Sequence, residues 1–429
     1  MQEFMSYLWK NRLLSSKRLR TTNGEPIEIF DVGNEERNGT FNSAKLKIGD
    51  TTWSGNVIIH NNSSDWEKEI VGKKSHYENV ILHITLNDDI DTIRKNGESI
   101  HQLRISCNEN TLESYTEMLN GKFEPLCKQV AAQCSEINLH NYLSRLLIER
   151  IEEKAEKITM LHKNCQNHWN DTLFKLLARS FGFGIQSHIF EEWALLLDLQ
   201  AASKHRDNIE QVEAIFFGQA GLLNESSIPA YYREEALKNE YFRTLQREYK
   251  FLKTKFGLKE MKAESWGYGN FTPHIRISRL AAHFCSGKAG IAQISNCYTI
   301  PELRDILQIQ PSWYWQHHTQ FGGTATIGCG DISRKHLDVL IINAIIPTLY
   351  SYGKHRKNIE LCNKGEDFLH ELDSEDNSII RRWAQKGINA TCAADSQALI
   401  QLNNAYCAKH KCCECRFASI FFKDKIATC

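Results

Sequence analysis

Seven prolines in 429 residues constrain this chain more than any other feature. About 21 would be present at roughly 5% usage. Proline inside a helix removes a hydrogen bond and costs about 3 kcal/mol. A chain that avoids it is free to run in long helices, and from residue 111 onward the pattern uses that freedom. Leu139, Leu143, Leu146, Ile151, Ile158 and Leu161 recur at helical spacing, with Glu149, Glu153 and Lys157 on the other face. Glu153 and Lys157 add i,i+4 support. Further helices are predicted at 231–256, 274–286, 301–309, 334–351, 356–371, 376–386 and 391–408.

Residues 1–110 read differently. Phe4, Leu8, Trp9 and Leu13 share one helical face. Ala44, Leu46 and Ile48 then alternate with Lys45 and Lys47, which predicts a half-buried strand. Gly49-Asp50 marks a turn, and Thr51 to His60 reads as the returning strand. Ser63-Ser64-Asp65-Trp66 offers helix-capping residues. Val80 to Ile84 is a third, more buried strand, and Gln102 to Ser106 is a candidate fourth. The expected organisation is a small mixed-sheet α/β domain over 1–110, a helical domain over 111–260, and a helical C-terminal domain over 261–429.

The 52 basic and 52 acidic side chains balance, which excludes a polycation but leaves local basic patches open. Two such runs are Arg12, Lys17, Arg18 and Arg20, and Lys250, Lys253, Lys255, Lys259 and Lys262. Each is either a solvated face or a phosphate contact. Arg276 and Arg279, on a predicted helix, carry the same two readings. The apolar run Leu337–Leu349 is interrupted by Asp338 and Asn343 and is too short to span a bilayer, so a buried core helix is expected. The first residues lack the pattern of an export signal. The expectation is a cytoplasmic protein with no membrane partner and reduced cysteines.

A helix, then a strand hairpin, then a further strand is the order found in cores of the PD-(D/E)xK nuclease type. That chemistry places one carboxylate near the start of the second strand. An acidic residue and a Lys, one residue apart, lie on the third. Strand alternation puts residues two apart on one face, so the acidic groups can hold Mg²⁺ beside the phosphate.

Several segments together resemble the bacterial domain of unknown function 2851 family, whose N-terminal signature runs GPDFxxA, WxGxVEIHxxSSDW, YxNVILH. Here stand Phe41-Asn-Ser-Ala44, Trp53-Ser-Gly55-Asn-Val57-Ile-Ile59-His60, Ser63-Ser64-Asp65-Trp66 and Tyr77-Glu-Asn79-Val80-Ile81-Leu82-His83. The likeness continues through Glu149-Arg150, Leu177-Ala178-Arg179, Phe217-Gly218-Gln219-Ala220-Gly221, Pro273-His274-Ile275-Arg276 and Asp395-Ser396-Gln397-Ala398. The resemblance implies a restriction-endonuclease-like N-terminal domain ahead of a large all-helical region. It also implies an acidic pair, the Asp of GPDF and the Glu of VEIH, with His in place of Lys. This chain has Thr40 and Ile58 at those two positions and keeps only His60. Neither replacement offers charge to a hard dication, so Mg²⁺ is not expected. The rival reading relocates the ligands to Glu28, Asp31, Asp50 or Asp65. Asp65 also reads as a helix cap, and His60 as a hydrogen-bonded strand residue.

Function is therefore expected to be that of a degenerate nuclease-like protein that binds nucleic acid or protein. The alternatives are an active metal-dependent nuclease with relocated ligands, and a structural protein of a larger assembly.

The chain has 14 cysteines. Cys407, Cys412 and Cys415 form C-x4-C-x2-C behind a predicted helix, a spacing that brings thiolates onto one cation. Zinc or an iron–sulfur cluster would need a fourth ligand, with Cys392, His410, Cys413 and Cys429 as candidates. Buried or redox-active thiols are the competing reading. Phe217 to Gly221 reads as a tightly packed helix end, not a phosphate loop. Trp313, Tyr314 and Trp315 read as an aromatic core cluster or a base-stacking surface.

Overall fold

A computed structural model describes residues 1–14, 19–36, 39–70, 78–94, 96–105, 109–120, 124–266, 273–325 and 330–426. The chain opens with α1 (Gln2–Lys10), β1 (Ile27–Asp31), β2 (Asn34–Glu35), β3 (Thr40–Ile48) and β4 (Thr51–Asn62). There follow α2 (Asp65–Ile70), β5 (Val80–Asn87), β6 (His101–Arg104), α3 (Glu109–Leu119) and α4 (Glu124–Gln133). Helices then dominate: α5 (Glu136–Asn164), α6 (Trp169–Ser180), α7 (Ser187–Leu196), α8 (Leu199–Ser203) and α9 (Ile209–Gln219). Next come α10 (Ala230–Lys238), α11 (Glu240–Phe256), α12 (His274–Ser286), α13 (Ile291–Ser295) and α14 (Ile300–Leu307). A two-stranded ribbon, β7 (His318–Gln320) and β8 (Gly323–Thr324), precedes α15 (Arg334–Leu340). A π-helical segment, Ile341–Ile345, joins α15 to α16 (Ile346–Arg356). The chain finishes through α17 (Ile359–Glu371), α18 (Ser378–Gln385), α19 (Ala393–Gln401), a second π-helical segment (Leu402–Cys407) and α20 (Arg416–Ile426).

The chain divides into two compact units. The first comprises Met1–Leu143, Ser378–Asn389 and Leu399–Cys429, and the second Ser144–Asn377 and Ala390–Ala398.

The first unit is built on a mixed sheet of order β1-β3-β4-β5-β6, with β2 also on β3. β1, β3 and β4 are antiparallel neighbours, and β5 and β6 continue parallel to β4. The β3–β4 hairpin turns at Gly49, whose φ of 60° suits a residue without a Cβ. The crossover through α2 makes β5 parallel to β4, as a hairpin could not. Val57, Ile58 and Ile59 are all buried, because this stretch of β4 is covered on both faces. Aromatic packing ties α1, α3 and α20 together, with Phe4 4.7 Å from the Tyr115 ring and 5.6 Å from Phe422.

The second unit is helical. α9 lies at its centre, with Val212 and Ala214 to Phe217 at 0% exposure. α11 approaches α9 closely because Gly218 faces Tyr249; a Cβ at Gly218 would fall 2.2 Å from the ring. The predicted core helix over Leu337–Leu349 is present as α15, the π segment and the start of α16, and it is buried along most of its length. Among the described residues no helix is long and apolar enough to cross a membrane.

Candidate functional site

Register decides what the sheet can do. Thr40 on β3 and Ile58 on β4 are direct cross-strand partners. These two positions, read from sequence as the missing acidic pair, therefore stand side by side. Ile58 is 1% exposed and packs in an apolar cluster with Trp66, Val80 and Ile100. His60, two residues further along β4, shares the face of Ile58 and is also buried.

His60 begins a buried polar chain. Its Nδ1 lies 3.0 Å from Nε2 of His83, and His83 Nδ1 lies 2.9 Å from Thr92 Oγ1. Gln102 Nε2 donates to the same Thr92 oxygen at 2.7 Å. The four groups sit together because His83 pairs with Ile58 on one side and with Gln102 on the other. Burial, and then the neighbouring His60, push the His83 pKa down to about 3, so its ring is neutral at pH 7. A chain of two imidazoles and a hydroxyl satisfies buried polar groups; it supplies no anionic ligand for Mg²⁺.

The alternative carboxylates do not gather around His60. Asp50 precedes Thr51 at the far end of β4, about 30 Å from His60 at roughly 3.3 Å per residue. Glu28 pairs with Lys47 and Asp31 with Lys45, toward that same end. Asp31 accepts from the Gly33 amide in a local turn. Asp65 alone is near enough to interact with both histidines. Its carboxylate accepts from Lys68 Nζ at 2.8 Å and from the Asn62 amide at 3.2 Å. Those bonds, led by the one from Lys68, hold its pKa below the usual range. Asp89, beside it in the fold, is fixed by Ser63 Oγ at 2.7 Å and the Ser64 amide at 3.0 Å. Among the described residues no group of three or more His, Cys, Asp or Glu is arranged to hold a metal ion.

The family described as "Protein of unknown function (DUF2851)" matches residues 2–378. The chain belongs to this family. No curated protein and no solved structure matches it. The DUF2851 match includes the whole sheet and most of the helical unit. It stops before Asp395–Ala398 and before the cysteine tail.

Within that tail, Cys407 ends the second π-helical segment, Cys412 and Cys413 lie in a 3-10 turn, and Cys415 is buried. Tyr142 Oη lies 3.3 Å from the Cys415 sulfur. The neighbour invisible in the sequence is Cys127 on α4. Burial, and then proximity to Cys415, Cys407 and Cys412, push its thiol up to about 12. Burial likewise pushes Cys412 up to about 11. These are protonated thiols at pH 7, the opposite of the activation that flanking Lys409, Lys411 and Arg416 suggest. Cys392 belongs to the second unit, where its sulfur lies 3.9 Å from His370 Nδ1. Cys429 lies outside the described residues.

The basic residues separate by role. Lys17 and Arg18 lie outside the described residues. Arg12 donates to the Phe30 carbonyl at 2.7 Å and Arg20 to the Gly24 carbonyl at 2.7 Å, both from exposed positions. In the second unit Arg279 is 7% exposed and donates to the Gly330 carbonyl. Arg276 donates to Gln186 at 3.1 Å and lies 5.2 Å over the Phe183 ring. These two are structural anchors. The lysine run on α11 is different. Lys250 and Lys255 are exposed, Phe251 is 61% exposed, and Lys255 Nζ lies 5.7 Å from the Phe251 ring and 5.0 Å from Phe256. Lys204 covers Phe256 at 5.0 Å as well. Lys253 is paired with Glu260 at 2.6 Å.

Two buried polar centres of the second unit have no sequence signature. Glu213 is fully buried on α9, accepting from Tyr241 Oη at 2.6 Å and Ser278 Oγ at 2.5 Å. Trp315 Nε1 donates to the same Tyr241 oxygen at 3.0 Å. Burial pushes Glu213 up to about 7 against the pull of these hydroxyls. The aromatic run is thereby explained: Tyr314 and Trp315 belong to the core, and only Trp313 is exposed. The second centre is Lys154 on α5. Its Nζ donates to Gln397 Oε1 at 2.8 Å, Asn343 Oδ1 at 3.2 Å and the Ile342 carbonyl at 3.5 Å. Arg150 shares Gln397 Oε1 at 3.3 Å, and Gln397 donates in turn to Glu375. Asn343 and Ile342 lie in the π-helical segment, whose wider turn presents groups a regular helix keeps to itself.

Proposed function

We propose that this DUF2851 protein is a catalytically degenerate, nuclease-like protein that acts by binding nucleic acid. The observation that carries the reading is the pairing of Thr40 with Ile58. A two-carboxylate metal site needs charge at adjacent strand positions on one face. Here those positions hold a hydroxyl and a buried alkyl group. The order α1, four strands joined antiparallel through β3, α2, then a parallel strand supports the nuclease-like comparison. The binding half rests on the α11 surface, where lysines and the exposed Phe251 alternate. Cationic side chains interleaved with aromatic rings suit single strands, in which each base offers a face to stack and each phosphate a charge.

Fluorescence anisotropy with a labelled single-stranded oligonucleotide, over a range of salt, tests it. The account expects log K to fall with log salt at a slope of about −2 to −3, for three or four phosphate contacts. Phe251→Ala with Lys255→Gln should weaken binding at least about tenfold. Affinity that is absent at low salt, or unchanged in that double variant, would overturn the binding half.

The tail thiols carry a separate proposal: a structural zinc ion held by Cys407, Cys412 and Cys415 with Cys127 as the fourth ligand. The support is that Cys127 has Cys415, Cys407 and Cys412 as neighbours within the first unit; the thiols are not already arranged as a metal site, so the ion would have to draw them together. Metal analysis of protein prepared without added metal should find about one zinc per chain. Substoichiometric zinc and iron would remove this reading.

A further inference from the structure

The helical unit contains a cavity of about 600 Å³ beside Arg206 and His283, walled by α6, α8, the start of the α8–α9 connection and the end of α12. This is the size of a small-molecule site. Arg206 is held in a fixed pose. Its Nε donates to the Phe284 carbonyl at 2.7 Å, and its guanidinium carbon lies 5.3 Å over the Phe284 ring. Gly287 caps α12 with φ of 65°, and a Cβ there would stand 2.9 Å from Nη2 of Arg206. The glycine thus serves two ends: it accepts a left-handed backbone and leaves room for the guanidinium. With Nε satisfied, the two Nη groups form a planar donor fork. Among the described residues no protein acceptor meets them.

The other lining groups fit an anion with an organic body. Lys204 also lines the cavity, with its Nζ 5.0 Å over the Phe256 ring. His283 is 8% exposed and its Nε2 is buried with no hydrogen-bond partner among the described residues. Burial, and then Arg206, lower its pKa to about 4, so it offers a neutral donor or acceptor. The lining also holds one carboxyl, Asp171, whose pKa is raised by burial. Phe174, Leu177 and Leu199 supply an apolar floor. The space far exceeds one inorganic ion, and the floor has no use for a bare anion.

We propose that this cavity binds a phosphate monoester with a ring-containing body, of the mononucleotide class, with Arg206 taking the phosphate oxygens in a bidentate grip. The site is independent of the sheet and of the Thr40–Ile58 reading.

Isothermal titration of the full chain at low salt with AMP, adenosine and inorganic phosphate tests it. AMP should bind at one site, at least about tenfold tighter than either fragment. Arg206→Gln should lose at least about tenfold in AMP affinity, since the charge-assisted bidentate hydrogen bonds go with the guanidinium. Ser203 is exposed at the mouth, so Ser203→Trp should block AMP while leaving the thermal midpoint of the free protein unchanged. An oligonucleotide with a 5′-hydroxyl separates this site from the α11 surface. Its affinity should be insensitive to Arg206→Gln and sensitive to Phe251→Ala. The same oligonucleotide with a 5′-phosphate tells a strand end from a free nucleotide as the source of the ester; binding of either through Arg206 supports the proposal. No heat from AMP or other mononucleotides at millimolar concentration would overturn it. So would adenosine or phosphate matching AMP, or wild-type affinity in Arg206→Gln. Should Arg206→Gln fail to fold, unchanged AMP binding in Lys204→Gln and Ser203→Trp would overturn it equally.

Discussion

Glu213 shows how one residue can be placed against its own chemistry. A carboxyl with 0% exposure is tolerated because Tyr241 and Ser278 donate to it, yet burial still raises its pKa to about 7. In the unfolded chain the group titrates near 4.3. The folded state therefore holds the proton more tightly. The stability this lends is complete below the unfolded pKa and is lost as pH rises through about 7. Glu213→Gln removes that loss. The variant should gain on the order of 2 kcal/mol relative to wild type between pH 5 and pH 8. Urea unfolding midpoints at the two pH values measure it; parallel pH dependence in both proteins would contradict the assignment. None of this is visible in the sequence. Glu213 sits in an apolar run, Val212-Glu213-Ala214-Ile215-Phe216-Phe217. Only the packing of α9 against α11 and α12 shows that it has no route to solvent. Thr40 and Ile58 are the opposite case. Both positions were legible from the family resemblance that marks them, while their cross-strand pairing passes through a register shift between Phe41 and Ala44 that alternation does not encode.

Elements separate the legible from the hidden in the same way. α12 occupies His274–Ser286, the span its periodicity predicts, since Pro273 and Gly287 mark both ends chemically. The β3–β4 hairpin follows from alternation and the Gly49 turn. The pairing of His60 with His83 is not local. It depends on the parallel register that the α2 crossover imposes between β4 and β5, and no spacing rule encodes that register. The π-helical segment is also hidden, because its extra residue leaves the apolar pattern almost unchanged. Its consequence lies in α5. Burial, and then the neighbouring Arg150, lower the Lys154 pKa to about 7. An unfolded lysine titrates near 10.4. Between pH 7 and pH 10 the unfolded chain binds the extra proton, so this group makes stability rise with pH over that window. Lys154→Met should flatten the rise. Guanidinium melts at pH 7, 8.5 and 10 measure it, and an equal rise in the variant would show that Lys154 is charged in the folded state.

At the scale of the whole molecule, scarce proline is matched by a large helical unit and by a second unit built on a small mixed sheet. The zero net charge finds its physical expression in dispersal. In the first unit Arg12 and Arg20 each donate to a backbone carbonyl; in the second, Arg276 donates to Gln186 and Arg279 to the Gly330 carbonyl, and the α11 lysine Lys255 stands over the Phe251 ring. Binding and catalysis are thus read from different places. On the proposed reading the sheet lacks the paired carboxylates of a metal site, and among the described residues no group of three or more His, Cys, Asp or Glu is arranged to hold a metal ion. The measurement that bears most directly on this account is cleavage of single- and double-stranded DNA and RNA by the purified protein, with Mg²⁺ or Mn²⁺ present. The account predicts no metal-dependent cleavage. Cleavage that requires the divalent ion and disappears in His60→Ala or Asp65→Asn would contradict it.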